Sequence, residues 1–174
     1  MKSQLVYTLD FDRITLKSLP QVGGKNGSLG ELFNTLRPKG IGVLDGFATT
    51  ADAYRALLAQ GELEYELRTL LSDFDSEDVS ELSTRGHAAR VAILDTPLPK
   101  ELREAITGAY DKLCARLGRE PELAVRSSAT AEDLPEASFA GAAETFLNVR
   151  GHAALLRAVH QCFASCSHER FQNQ

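Results

Sequence analysis

The sequence predicts an α+β fold in which helices pack on a small mixed sheet. Short runs of β-forming residues occur at positions 5–9, 41–49, 123–128 and 145–149. The stretches between them carry apolar residues at helical spacing. Of the 174 residues, 43% are hydrophobic, with only 13 Gly and 6 Pro. This composition is typical of a globular protein of about one domain and excludes a disordered or collagen-like chain.

In the first half, a strand at 5–9 is followed by a glycine-rich turn and a helix. The helix should begin near Lys25, directly after the glycine pair, and end before Pro38, because its apolar residues have helical spacing. Residues 41–49 resemble a buried extended segment that is broken by an Asp-Gly pair. Thr50 is a suitable N-cap for a helix that runs to about Gln60.

The middle of the chain is predicted to be helical. A leucine stripe spans positions 63–71, an acidic run covers 73–81, and apolar residues at helical spacing continue to 94 and again over 101–117. The last third changes character, with a strand at 123–128, a long polar loop, a strand at 145–149 and a closing helix from about 152 to 165. We find neither an internal repeat nor an interdomain linker.

Charge and composition exclude several classes of function. The net charge of −5 does not favour nucleic-acid binding, which requires a basic face. No apolar run approaches the roughly 18 residues of a membrane span, and the N-terminus has no signal-peptide pattern. The three cysteines are an odd number, which suggests reduced thiols. We therefore expect a cytoplasmic protein that binds neither membranes nor nucleic acids.

The glycine-rich turn at residues 23–28 is the first candidate site. Glycines allow backbone N–H groups to approach a ligand closely, and the N-terminus of a helix attracts anions. Lys25 could place its ammonium group on a phosphate. The turn does not match the Walker A pattern. The alternative is an ordinary glycine turn with a solvated lysine.

Arg126, at the end of a strand, is the second candidate. The preceding residues 123–125 are apolar, so we expect an interior strand and an arginine that needs an anionic partner. Its forked guanidinium suits a phosphate. A structural ion pair with one of the nearby acids is the alternative.

The loop at 129–141 is the third candidate. It is long, polar and rich in small residues, as active-site lids are. Hydroxyls of Thr130, Ser138 and Thr145 and the backbone at Gly141 could contact a ligand. An ordinary surface loop is equally compatible with this composition.

The histidines and cysteines do not form a convincing site. Cys162 and Cys166 share a helix face, but His160 and His168 lie about 160–200° around the helix from it. We predict no metal site here, and no Ser/His/Asp set is recognisable. We therefore assign no catalytic residue to the chain.

Three segments together resemble the N-terminal region of the phosphoenolpyruvate synthase family. They are VGGKNGSLGEL at 22–32, GFATTADAY at 46–54 and AVRSSATAEDLPEASFAG at 124–141. Shorter matches occur at 95–97 and 144–149, so that the resemblance runs from about 5 to 165. Pyruvate phosphate dikinase and rifampicin phosphotransferase share a looser version of the pattern.

The resemblance implies an ATP-grasp-like nucleotide-binding domain, present here in part over residues 1–174 with a divergent tail at 166–174. In the family, this domain passes the β-phosphate of ATP to a histidine on a second domain, and a third domain hands it to pyruvate. By residue-to-residue match, ATP phosphates would contact Lys25, Arg126, Gly141 and Thr145. The residues that bind Mg²⁺ in the family are expected outside this chain. The sequence departs from the family at Leu44, usually Pro, and at Ala142 and Ala143, usually a Gln pair.

These implications give a two-part expectation. The chain should be the ATP-binding portion of an enzyme that converts ATP, pyruvate and water to phosphoenolpyruvate, AMP and phosphate. Alone, it should be a truncated fragment that binds ATP weakly and does not turn over pyruvate. A last strand with an unpaired edge would favour self-association. A non-catalytic binding or regulatory module is the alternative from another class.

Overall fold

The computed structural model describes residues 5–72, 79–128 and 144–165. Within these ranges the chain forms four β-strands and seven α-helices. The strands are β1 (Thr8–Asp10), β2 (Phe47–Thr49), β3 (Leu123–Arg126) and β4 (Thr145–Val149). The helices are α1 (Leu19–Val22), α2 (Gly24–Leu36), α3 (Ala51–Leu58), α4 (Leu63–Leu70), α5 (Val79–Asp95), α6 (Lys100–Leu117) and α7 (Gly151–Ser165).

Strands β1 and β2 form an antiparallel pair in which Leu9 lies opposite Ala48. The chain leaves β2 into α3 through Thr50, whose hydroxyl accepts a hydrogen bond from the Ala53 amide at 3.3 Å. The same hydroxyl donates to the Val6 carbonyl. The predicted N-cap is therefore confirmed, and it also ties the start of α3 to the segment just before β1.

A small core lies beneath the N-terminal sheet and positions α2. It consists of Ile14, Val22 and Ala48, with Leu9 and Phe11 packed against it. The Ile14 carbonyl accepts a hydrogen bond from the Asn34 side chain at 3.0 Å. Helix α2 approaches this carbonyl closely at Gly30, where an added Cβ would lie 2.6 Å from the Ile14 oxygen. Close packing against the segment around Ile14 therefore fixes where α2 lies.

The larger core is built from helices α3 to α7 and the inner face of the second sheet. Its fully buried members include Leu57, Leu67, Ile93, Leu102 and Ile106. Tyr54 of α3 meets Phe163 of α7 edge to face, with ring centroids 5.6 Å apart. Burial of these apolar faces supplies the main driving force for folding.

Strands β3 and β4 form a second antiparallel pair with one face on this core. Leu123, Val125 and Phe146 pack against the core, whereas Leu147 is 67% exposed. The α+β expectation is confirmed, but the described strands form two separate antiparallel pairs instead of one mixed sheet. Self-association through an unpaired strand edge stays a prediction.

The expectation of a buried extended segment over 41–49 is wrong for its first part. Only Phe47–Thr49 is a strand, while Ile41 is half exposed and Leu44 is 89% exposed. Gly40 has a φ of 78° and turns the chain after α2. Residues 41–46 pair with no strand in the part of the chain that the structure describes. The first strand is likewise shorter than expected. It begins at Thr8, and Leu5 and Val6 precede it with exposed side chains.

An ion-pair cluster joins α6 to the N-terminal sheet. Arg116 donates from Nε and Nη2 to the two carboxylate oxygens of Asp45 at 3.1 and 3.2 Å, and from Nη1 to Asp10 at 3.2 Å. The Asp45 side chain is only 6% exposed and also accepts from the Gly46 amide at 2.8 Å. The bond to Asp45 raises the pKa of Arg116 above its ordinary value, and Asp10 adds to the shift.

Tyr110 links α6 to the segments that begin β3 and α7. Its hydroxyl accepts a hydrogen bond from the Gly151 amide at 3.1 Å and lies 3.3 Å from both the Pro121 carbonyl and Glu120 Oε1. Burial raises the pKa of Tyr110, the Gly151 bond opposes this, and Glu120 adds to it. The hydroxyl therefore joins α6 to the segment just before β3 and to the start of α7, which is 41 residues away in sequence.

We expect Tyr110→Phe to lower the free energy of unfolding by about 1–2 kcal/mol at pH 7, because the Gly151 amide loses its buried acceptor. Above about pH 10, the unfolded chain releases the tyrosine proton while the folded chain retains it. The wild type should thus lose stability as the pH rises from 10 through the higher pKa of the folded state, and Tyr110→Phe should lose less.

Urea unfolding at pH 7 and at pH 10.5 measures both effects. Tyr65→Phe is the matched control, because the Tyr65 side chain is 72% exposed, and it should leave the unfolding curves unchanged. If the free energy of unfolding falls by the same amount between pH 7 and pH 10.5 in the wild type and in Tyr110→Phe, Tyr110 does not cause the loss of stability at alkaline pH.

Candidate phosphate-binding site

The glycine pair forms a sharp junction between α1 and α2. Gly23 has a φ of 78° and a ψ of 166°, a conformation that L side chains avoid. Its amide donates to the Leu19 carbonyl at 2.9 Å, and its carbonyl accepts from the Gly27 amide at 2.9 Å. The turn thus ends one helix and begins the next, and it places Lys25 in the first turn of α2, as predicted. Lys25 is half-buried there.

Arg126 and Thr145 are direct partners across the second sheet. Opposed residues of an antiparallel pair project from the same face, and both of these are exposed, whereas Val125 and Phe146 face the core. Two of the predicted site residues therefore share one surface. The expectation of an interior strand is wrong, since β3 is buried on one face only.

This exposure changes the argument for Arg126. Among the described residues, no carboxylate forms an ion pair with it, and its guanidinium reaches solvent. Desolvation therefore does not force an anionic partner upon Arg126. Its candidacy depends on its position beside the glycine turn and on its charge.

Ser128 brings the end of β3 against the glycine turn. Its hydroxyl donates to the Val22 carbonyl at 3.0 Å and accepts from the Asn26 amide at 3.4 Å. The Asn26 side chain also donates to the Val22 carbonyl at 2.9 Å. These bonds join segments that are more than 100 residues apart in sequence, one with Lys25 and the other with Arg126. The two predicted cationic positions thus lie on neighbouring segments.

A second contact fixes the start of β4. The Glu144 carboxylate pairs with Arg90 of α5 at 2.6 Å, and the Glu144 carbonyl accepts from the Ser127 amide at 3.2 Å. Thr145 follows directly. Helix α5 therefore anchors the strand that presents the Thr145 hydroxyl beside Arg126.

Chemically, the junction offers an anionic ligand three kinds of group. Lys25 and Arg126 supply positive charge, and the first turn of α2 supplies the positive end of a helix dipole. Thr145 adds a hydroxyl. The predicted lid at 129–141, which includes Gly141, lies outside the described residues. Thr145 follows the lid and is described.

Sequence reasoning did not assign Asn26, Arg90, Glu144 or the bridging role of Ser128. The available signal was that Asn26 follows Lys25 and that Ser128 follows Arg126 by two positions, within the same motifs. Their partners are distant in sequence, so the contacts themselves had no local signature.

The two histidines of α7 contact residues of neighbouring helices. His152 pairs with Asp111 at 2.7 Å and meets the Tyr110 ring edge to face, and His160 bonds the Ile93 carbonyl at 2.9 Å. Over residues 5–72, 79–128 and 144–165, no three metal-ligating side chains form a group. Cys166 and His168 fall outside these ranges. Nor does any helix in these ranges have the length and apolar character to cross a membrane.

Comparison with known proteins supports a nucleotide-binding role. The pyruvate phosphate dikinase AMP/ATP-binding domain model matches residues 19–171. Phosphoenolpyruvate synthase of Synechocystis sp. is 49% identical over 165 residues, which cover 92% of this chain and 20% of that protein. The Escherichia coli phosphoenolpyruvate synthase is 46% identical over 160 residues, with coverage of 92% and 20%.

A more distant relative gives the same result. The probable phosphoenolpyruvate synthase of Methanocaldococcus jannaschii is 43% identical over 155 residues, 88% of this chain and 13% of that protein. The chain thus spans a fifth or less of the length of these three relatives. The chain belongs to the pyruvate phosphate dikinase AMP/ATP-binding domain family.

Proposed function

We propose that this chain binds the phosphates of ATP at the junction of the glycine turn and the second sheet. Lys25, Arg126, Gly141 and Thr145 are the proposed contacts. The observation that carries the proposal is the Ser128 bridge, which joins the segment of Lys25 to the segment of Arg126. A triphosphate is the ligand whose charge suits two cations and a helix N-terminus.

The proposed parent activity is that of a phosphoenolpyruvate synthase, which uses ATP, pyruvate and water. The named relatives favour it over pyruvate phosphate dikinase and rifampicin phosphotransferase. Within that activity, this chain would supply the ATP-binding part. The chain would position the donor phosphates, while the acceptor groups would come from the other parts of such an enzyme. An ATP-grasp-like fold and a partial domain over 1–174 belong to this proposal.

Mg²⁺ belongs to the proposal as an ion carried by the nucleotide. The described side chains near the junction do not fit a protein-held magnesium site. Among them, Glu144 is the nearest acid along the chain, and its carboxylate is paired with Arg90. Serine and asparagine side chains complete the junction. We therefore assign no residue of the described ranges to the metal.

The test is isothermal titration with Mg-ATP. We expect a Kd between tens of micromolar and about 1 mM, or about −4 to −7 kcal/mol. Arg126→Ala should weaken binding by about tenfold or more, because a forked, charge-assisted phosphate contact is lost. The matched control is Arg103→Ala, an exposed arginine of α6, which should bind as the wild type does, and replacing His160 should also have no effect.

The alternative outcomes are distinct. Unchanged binding in Arg126→Ala would contradict the site assignment while leaving nucleotide binding intact. A wild-type chain that does not bind Mg-ATP would contradict the proposal itself and favour the non-catalytic binding module.

A further inference from the structure

Ser128 connects two backbone groups that helix ends leave without intrahelical partners. The Val22 carbonyl lies at the C-terminal end of α1, and the Asn26 amide lies in the first turn of α2. Ser128 donates to the first and accepts from the second. Only a group that is both donor and acceptor can do this from one position.

The turn between those two groups needs an external constraint. Gly23 and Gly24 have no side chains, and glycine adopts many backbone conformations at little steric cost. Lys25 follows directly, so any change in the turn moves its side chain. Asn26 supplies a second tie by donating to the Val22 carbonyl at 2.9 Å, but that tie stays within the turn. Ser128 relates the turn to the end of β3.

The consequence concerns the spacing of charges. Arg126 precedes Ser128 by two residues, and Lys25 precedes Asn26 by one. The Ser128 hydroxyl therefore sets the register between the two segments that carry the cations. A phosphate site depends on such spacing, because ligand groups must be held to within a fraction of an ångström.

We propose that Ser128 is a positioning residue that fixes the glycine turn, and Lys25 with it, against the end of β3 that carries Arg126. The role in ligand binding rests on the proposed ATP site, whereas the role in fixing the turn does not. Ser128 itself is not a ligand contact in this proposal, since its hydroxyl is used by Val22 and Asn26.

The first measurement is made without ligand. Amide hydrogen exchange should speed up several-fold over residues 24–27 in Ser128→Ala, because the Asn26 amide loses its acceptor. Ser128→Thr retains the hydroxyl and should restore the wild-type rates. Ser83→Ala, at an exposed serine of α5, is the control and should leave these rates unchanged. Wild-type exchange in Ser128→Ala would overturn the proposal, whether or not the chain binds ATP.

The second measurement separates positioning from general stability. Ser128→Ala should weaken Mg-ATP binding about five- to tenfold, with recovery in Ser128→Thr. In a Lys25→Ala background, Ser128→Ala should cost little more, because the residue it positions is gone. If Ser128→Ala weakens Mg-ATP binding by the same factor in the wild-type and Lys25→Ala backgrounds, the link to Lys25 is overturned. If the wild type fails to bind ATP, the proposed function fails, and the exchange data alone decide whether Ser128 fixes the turn.

Discussion

Gly30→Ala is expected to lower the free energy of unfolding by about 2–3 kcal/mol. A Cβ at this position would lie 2.5 Å from Ile14 Cγ2 and 2.6 Å from the Ile14 carbonyl oxygen. Backbone cannot move aside as the tip of a flexible side chain can, so α2 must shift away from the small core. Overpacking of this kind typically costs about 1–3 kcal/mol, and here it also strains the bond from Asn34 to the Ile14 carbonyl.

Thermal unfolding measures the effect directly. For a chain of this length, about 2–3 kcal/mol corresponds to a fall in Tm of about 4–12 °C. Gly108→Ala in α6 is the matched control, because both glycines lie inside helices but nothing lies within 4 Å of an added Cβ at Gly108. Alanine there should raise stability by about 0.5–1 kcal/mol through helix propensity. Changes of the same sign in the two variants would contradict the role assigned to the Gly30 contact.

Sequence patterns predicted the helix starts well where one or two neighbouring residues determine the local structure. The start of α2 at Gly24, one residue before the predicted start, follows from backbone freedom at Gly23, and the start of α3 follows from the side chain of Thr50. Residues 41–44 show the limit. Their apolar side chains resemble a strand, but burial requires a partner surface, and Leu44 has none among the described residues.

At the candidate site, too, the residues could be predicted from the sequence, whereas contacts between distant residues could not. The residues themselves made Lys25, Arg126 and Thr145 candidates, and the family resemblance implied ATP phosphates as their ligand. The structure places Arg126 opposite Thr145. The burial expected for Arg126 was wrong. The larger apolar side chains of Leu123 and Val125 alternate with Ala124 and Arg126 along β3, and this alternation indicates a strand with one exposed face. The Ser128 bridge could not be predicted, because its partners lie more than 100 residues away.

Arg116→Met should lower the free energy of unfolding by about 2–3 kcal/mol. The substitution keeps most of the apolar stem and removes the guanidinium that holds Asp45 and Asp10. The Asp45 carboxylate is 6% exposed, so without Arg116 it is a buried charge whose remaining partners, within the part of the chain that the structure describes, are the Gly46 amide and Arg37, 3.7 Å away. Breaking a fully buried pair costs about 3–5 kcal/mol, and we expect less because the Arg116 side chain is 34% exposed.

A double-mutant cycle separates the pair from the rest of the cluster. Asp45→Asn removes the buried charge, so Arg116→Met should cost less in that background than in the wild type, with a coupling energy of about 1–3 kcal/mol. Arg68→Met is the control, because its pair with Glu64 is an exposed contact one helical turn apart and should contribute at most about 0.5 kcal/mol. Urea unfolding of the four chains gives the cycle. A coupling energy near zero would contradict the role assigned to the Arg116–Asp45 pair, and any loss in Arg116→Met would then come from its other contact, with Asp10.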